Sequence, residues 1–207
     1  MTADEAYRWM MSAAHAASAD PFDAHAAASI IALAIEEAEA EGGPITAGLG
    51  ISGAELESLA RSLFPACAAA LAAAARGNDP EVDAEEQSIR DILLMYASGE
   101  SALERALGAM IARRCKAPHH LWQDLGLRDR GELSTLMRRH FAPLARKNSG
   151  DMKWKKFLYR MVCGAEGFTL CTSPVCSECD DFANCFGAED GEARLARSRN
   201  GLALAAV

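Results

Sequence analysis

The sequence predicts an all-α protein, a helical bundle of about six to eight helices with an irregular, cysteine-rich metal-binding loop near its C-terminus. Three observations carry this expectation. Alanine-rich tracts recur through the first half, and alanine combines the highest helix propensity with room for close helix packing. Cap signals, Asp followed by Pro or Ser followed three residues later by Glu, return at helix-length intervals. No stretch alternates Val, Ile and Thr with polar residues over four or more positions, so strand signals are nearly absent.

Residues 3–19 are alanine-rich and contain no helix breaker. Asp20-Pro21 then places an N-cap before a proline at the first helical position, opening a helix to about Ala40 that Gly42-Gly43-Pro44 stops. Ser52-Gly53-Ala54-Glu55 fits a capping box for a helix running to Ala75. Asp79-Pro80 repeats the cap-plus-proline device for a helix over about 82–97. Ser101-Ala102-Leu103-Glu104 is a second capping box, and its helix ends before Pro118. A short helical segment spans 119–125, and Asp129-Arg130-Gly131-Glu132 opens a helix reaching about Ala145. Asp151 is expected to cap the last long helix, through roughly Ala165. The alanine tracts imitate a repeat but keep no fixed period. The organisation expected is a single helical domain over 1–207: an alanine-rich part to 110, a region over 111–188 holding the loop 171–185, and a tail over 189–207 with at most a short helix.

At 207 residues, half of them hydrophobic and 6% aromatic, the chain has material for one good core. It has no apolar run long enough to span a bilayer, and its acidic start lacks the basic region of a signal peptide, so a cytoplasmic location without membrane association is expected. The formal net charge of −8 argues against a nucleic-acid binder, which needs a dominant positive surface. That charge is unevenly spread: residues 128–160 carry ten Lys/Arg against three Asp/Glu, a local +7 in an otherwise acidic chain. No nucleophile–base pair and no phosphate-cradling glycine motif is visible, so nothing supports a hydrolase or kinase.

Four of the seven cysteines fall within the fifteen residues CTSPVCSECDDFANC. An odd count with such bunching, in a reducing compartment, favours metal binding over disulfides. The spacing is C-x4-C-x2-C-x5-C, from Cys171, Cys176, Cys179 and Cys185. Zinc modules usually present two C-x2-4-C knuckles some way apart, and only one C-x2-C is present here. The first three cysteines match the C-x4-C-x2-C opening of plant-type [2Fe–2S] sites, although there the fourth ligand lies far downstream. Spacing alone therefore puts an iron–sulfur cluster ahead of structural zinc, with a disulfide pair third. Cys163, eight residues before Cys171, is a possible additional ligand or an ordinary helix cysteine. Cys67 and Cys115 read as packing residues.

The segment DMKWKKFLYRMVC leads into the cysteines. Trp154, Phe157, Leu158, Met161 and Val162 recur at helical spacing as a buried stripe. Lys153, Lys156 and Arg160 share another face, which is either an ordinary solvated surface or a binding surface for an anion or an acidic partner. His119 and His120, adjacent after Pro118 at a helix start, are the histidines best placed to add metal ligands. His140 more plausibly serves as a hydrogen-bonded core or surface residue, and His15 and His25 suggest no role.

These residues carry a resemblance. HLWQDLGL at 119–126, RRHFAPLARKN at 138–148, MKWKKFLYR at 152–160 and the cysteine cluster running into Phe186-Gly187 resemble the NifQ family, over roughly Ile111 to Ala188. The first hundred residues show no comparable motif. The resemblance implies a cluster-binding carrier rather than a turnover enzyme. It would supply molybdenum for assembly of the nitrogenase iron–molybdenum cofactor, passing the metal to the assembly proteins NifH and NifEN. It implies an iron–sulfur cluster that takes up molybdenum, as a Mo–Fe–S cluster, with Cys171, Cys176, Cys179 and Cys185 as its ligands and molybdate as a metal source. Two other readings compete: a helical iron–sulfur electron-transfer protein and a zinc-stabilised interaction module.

Overall fold

A computed structural model describes residues 1–17, 19–75, 79–165, 182–189 and 191–199. Every regular element among them is helical: thirteen α-helices and one 3-10 turn, with no strand. The all-α expectation holds, while the helix count exceeds the expected six to eight because several long segments are broken.

The centre of the fold is α2 (Pro21–Glu41), capped by the Asp20 side chain, which accepts from the backbone N–H groups of Phe22 and Asp23. Thirteen consecutive residues, Asp23 through Ile35, are buried, so α2 has no solvent face along this stretch. A helix apolar all round must be surrounded, and its alanines let neighbours approach on every side. Against it packs α1 (Ala3–Ala16), which starts from a capping box between Thr2 and Glu5. The helix predicted from Ser52 begins there as α4 (Gly53–Leu63), but Phe64-Pro65 ends it. A 3-10 turn over Pro65–Cys67 and a separate α5 (Ala68–Ala74) follow, because a proline has no N–H to continue the ladder. A short α3 (Ile45–Leu49), unforeseen in the sequence, occupies the Gly-Pro interval before α4.

The next helix, α6 (Ala84–Met95), is capped by Asp83, which accepts from Glu86 N–H. The expected Asp79-Pro80 start is corrected: both residues lie outside the helix, and the later aspartate makes the cap bond. Packed on α6 is α7 (Ala102–Cys115), opened by the predicted Ser101–Glu104 capping box. His120 is the N-cap of α8 (Leu121–Asp124). After α8 the chain turns at Gly126, whose φ is +71° and where a Cβ would stand 2.8 Å from the Ser29 carbonyl oxygen of α2. Only glycine suits both conditions. The predicted helix from Asp129 splits into α9 (Arg130–His140) and α10 (Ala142–Lys147), again at a proline, Pro143, in the first turn of the new helix.

Then come α11 (Trp154–Ala165), α12 (Phe182–Phe186) and α13 (Arg194–Arg199), the last packed on α1 and α2. Buried charges tie the layers. Glu86, completely buried, is paired with Arg90 and with Arg113 of α7. Glu37 of α2 receives Arg114 of α7 at 2.6 Å and Arg194 of α13 at 2.8 Å. His140 contacts Asp23 through Nε2 at 2.9 Å, and His25 lies between Tyr7 and Glu132 at 2.9 and 3.1 Å. Both histidines therefore serve packing between helices.

Cys67 and Cys115 are buried, as their sequence context suggested, whereas Cys163 and Cys185 are partly exposed free thiols. Burial pushes the Cys115 thiol up to about 12 and raises that of Cys67 as well. Because the thiolate is the reactive species, both should stay inert near neutral pH. Alkylation of the native, reduced, metal-free protein followed by peptide mass mapping is expected to label Cys163 and Cys185 and to spare Cys67 and Cys115 until denaturant is added. Labelling of Cys115 as fast as Cys163 would contradict this packing.

Candidate functional site

The site is organised by α11 and what holds its two ends. Its approach is set by Asn148, whose side chain accepts from Met152 N–H at 2.9 Å and donates to the Met152 carbonyl at 2.8 Å. Asp151, predicted as the cap of α11, instead adopts a positive φ of 53° outside the helix and is paired with Arg130 at 3.1 Å. The helix itself starts at Trp154. The apolar stripe read from the sequence is present: Trp154, Phe157 and Leu158 are buried, with Met161 and Val162 partly so. Trp154 Nε1–H donates to Ser134 Oγ of α9 at 3.3 Å, fixing the helix rotation.

That rotation leaves Lys156 and Arg160 exposed, while Lys153 lies just ahead of the helix and is half-buried. The backbone N–H of Lys153 donates to the carbonyl of Cys185 at 2.8 Å. The fourth cysteine of the motif is thereby held at the foot of the basic helix. Cys171, Cys176 and Cys179 lie outside the described residues. Cys163 sits in the last turns of α11.

His119 and His120 each meet a carboxylate. His119 Nδ1 lies 3.1 Å from Oδ1 of Asp124, a side chain with no exposed surface. His120 Nδ1 lies 3.3 Å from Oε1 of Glu189, which is nearly buried and is also 3.2 Å from Arg130. An ionised carboxylate only accepts, so the Asp124 contact selects the tautomer of a neutral His119 in which Nδ1 carries the hydrogen and Nε2 the lone pair. Metal-binding histidines are commonly anchored in this way.

Residues that sequence reasoning missed complete the arrangement. Lys155, a neighbour of the cations that were singled out, turns inward: its Nζ donates to Asp124 Oδ2 at 2.6 Å and to the Ala117 carbonyl. Arg194 of α13 approaches Asp124 Oδ1 at 3.6 Å, and Gln123 donates to the Glu192 carbonyl at 3.1 Å. Asp124 is thus the point where the 119–124 turn, α11 and α13 meet. The one sequence signal was its position inside HLWQD, an acid one helical turn beyond His120. Among the described residues no group of three or more His, Cys, Asp and Glu side chains is close enough to hold a metal ion. His119, His120, Cys163 and Cys185 are not by themselves a ready-made site.

Fold and motif together define a helical protein with a basic helix that delivers the chain into a C-terminal four-cysteine segment. The NifQ family model matches residues 26–187, so the chain belongs to the NifQ family. The match reaches well back into the alanine-rich part, beyond the Ile111–Ala188 span over which the sequence motifs are recognisable. The NifQ homolog of Sinorhizobium fredii is 38% identical over 171 residues, covering 83% of this chain and 74% of that protein. NifQ of Rhodobacter capsulatus is 40% identical over 164 residues, 79% of this chain and 89% of its own length. NifQ of Klebsiella pneumoniae is 44% identical over a shorter 81-residue stretch, covering 39% of this chain and 48% of that one. No solved structure matches. Among the described residues no helix is long and apolar enough to cross a membrane.

Proposed function

We propose that this protein carries a molybdenum-containing iron–sulfur cluster on Cys171, Cys176, Cys179 and Cys185 and donates molybdenum for assembly of the nitrogenase iron–molybdenum cofactor. The observation that carries the reading is the C-x4-C-x2-C-x5-C motif, whose last member is tied through its carbonyl to Lys153 at the start of the basic helix. Thiolate and sulfide are soft donors suited to iron and to reduced molybdenum. Molybdate arrives as an oxyanion, which Lys156 and Arg160 on the exposed side of α11 would attract. His119, with Nδ1 occupied by Asp124, is the imidazole best prepared to add a ligand, and Cys163 is the spare thiol on α11. NifH and the NifEN scaffold are the receivers implied by the family resemblance. In this role the protein is a carrier without turnover chemistry, working in the cytoplasm.

Anaerobic purification followed by iron, acid-labile sulfide and molybdenum analysis tests the proposal. Iron, sulfide and molybdenum in stoichiometric amounts are expected. Stoichiometric zinc without sulfide would move the protein to the interaction-module reading, and a reversible iron–sulfur potential without molybdenum to the electron-transfer reading.

A further inference from the structure

The chain passes Cys185 between two anchors, and one side chain joins them. On one side the Lys153 N–H donates to the Cys185 carbonyl at 2.8 Å. Lys153 is presented by the connection over 148–152, which is closed by the two Asn148–Met152 bonds and by Asp151 N–H donating to the Asn148 carbonyl at 3.0 Å. On the other side, four residues past Cys185, Glu189 is fixed between His120 and Arg130, its side chain only 5% exposed. Arg130 also reaches the 148–152 connection. Its Nη2 donates to the Asp151 carbonyl at 2.6 Å and to Oδ1 at 3.1 Å, while Nη1 lies 3.2 Å from Glu189 Oε2. One guanidinium therefore braces the connection that holds Cys185 against the segment that leaves it.

Magnitudes separate these contacts. The Asp151 side chain is 79% exposed, so its ion pair with Arg130 contributes little. The Asp151 carbonyl matters more, because its residue has a φ of +53°, the only positive value at a non-glycine among the described residues. Such a backbone state is costly and persists where its surroundings fix it. The Glu189 contact is the buried one, and a nearly buried carboxylate is costly to leave without its cation. Bridging two partners at once also suits the planar fork of arginine and not the point charge of lysine. Cys185 and Phe186 are only partly buried against the core, so these polar anchors supply the fixing that packing does not.

We propose that Arg130 and Glu189 are positioning residues for the fourth cysteine, holding Cys185 in place before metal arrives. The inference rests on the donor role above and adds two residues that act through Cys185 rather than as ligands. Groups that orient a ligand without touching the metal typically change its affinity by about 10- to 100-fold. A thiol already fixed on the framework also has less conformational freedom to lose when metal binds.

The test has two readouts on the full chain. In the reduced, metal-free protein, alkylation of Cys185 is timed against Cys163, with Cys67 and Cys115 reporting that the core stays closed. Arg130→Met and Glu189→Gln are each expected to speed Cys185 labelling by about fivefold or more and to leave Cys163 within about twofold. Removing a nearby cation alone would disfavour the thiolate and slow the reaction, so acceleration in Arg130→Met reports exposure. The double variant should label no faster than the quicker single one, because both changes break the same brace. Asp151→Asn keeps the carbonyl and suits a positive φ, and should stay within about twofold of wild type. Should Arg130→Met open the core, the isosteric Glu189→Gln decides alone. After anaerobic reconstitution with iron and sulfide, both single variants are expected to lose iron to a chelator about tenfold faster or more. Unchanged Cys185 labelling, or faster labelling with wild-type iron retention, would overturn this inference and leave the donor role standing. Wild-type protein that takes up no iron and sulfide would overturn the donor role and the inference with it.

Discussion

Asp124→Ala is expected to destabilise the metal-free protein by about 3–5 kcal/mol, the scale associated with stranding a buried charge. The Asp124 carboxylate has no exposed surface, and its removal leaves Lys155 Nζ, itself mostly buried, without its anion at 2.6 Å. The same substitution takes away the acceptor of His119 Nδ1 and the carboxylate facing Arg194. Three elements lose their common anchor, so the loss should be regional as well as global. Urea unfolding supplies the magnitude, and hydrogen exchange over 191–199 supplies the location, with protection there falling first. The double variant Asp124→Ala/Lys155→Met should recover part of the stability, because an apolar side chain of similar length carries no charge to strand. A single-variant cost under about 1 kcal/mol would mean that the pair is far better solvated than its burial implies.

Fold class was legible because its signals are local. The capping boxes at Ser52 and Ser101 and the cap-plus-proline at Asp20 all sit at helix starts, since each bond joins residues three apart or fewer. Where competing cap signals lie close together, spacing alone does not decide between them. Asp79-Pro80 resembled a start, yet Asp83 makes the bond. Pro65 and Pro143 lie inside long alanine-rich or basic runs that read as continuous helix, yet each sits in the first turn of a new one. The apolar stripe of α11 is readable from its period, but that period says nothing of the inward turn of Lys155 toward Asp124. Its neighbours Lys153 and Lys156 formed an evident cationic series, while its acidic partner lies 31 residues earlier. Glu189 with His120 and Arg194 with Asp124 are separated more widely still. Such pairings depend on how helices are brought together, and no spacing rule within one segment reports that.

The stability argument and the metal argument come apart in one experiment. Chelation, or Cys→Ser at position 171, 176, 179 or 185, is expected to remove cluster absorbance and lower iron content by more than about tenfold, beyond the usual cost of losing only an outer-shell partner. A serine hydroxyl is a hard donor that stays protonated at neutral pH and cannot replace a thiolate toward iron. Helix content, by contrast, should hardly change. Among the described residues the buried core is drawn from α1 through α11, from Ala3 to Leu158, and Cys185 packs against it only partly buried. On the proposed function, metal would be an addition to a body that folds on its own core, unlike small metal domains in which binding free energy is the folding free energy. Far-ultraviolet circular dichroism of the chelated protein measures this, and wholesale loss of helix would refute it. Cys163→Ser and His119→Ala separate iron from molybdenum in the same assay. If either side chain completes the molybdenum sphere, its replacement lowers molybdenum selectively and leaves iron in place, a signature that general destabilisation would not produce.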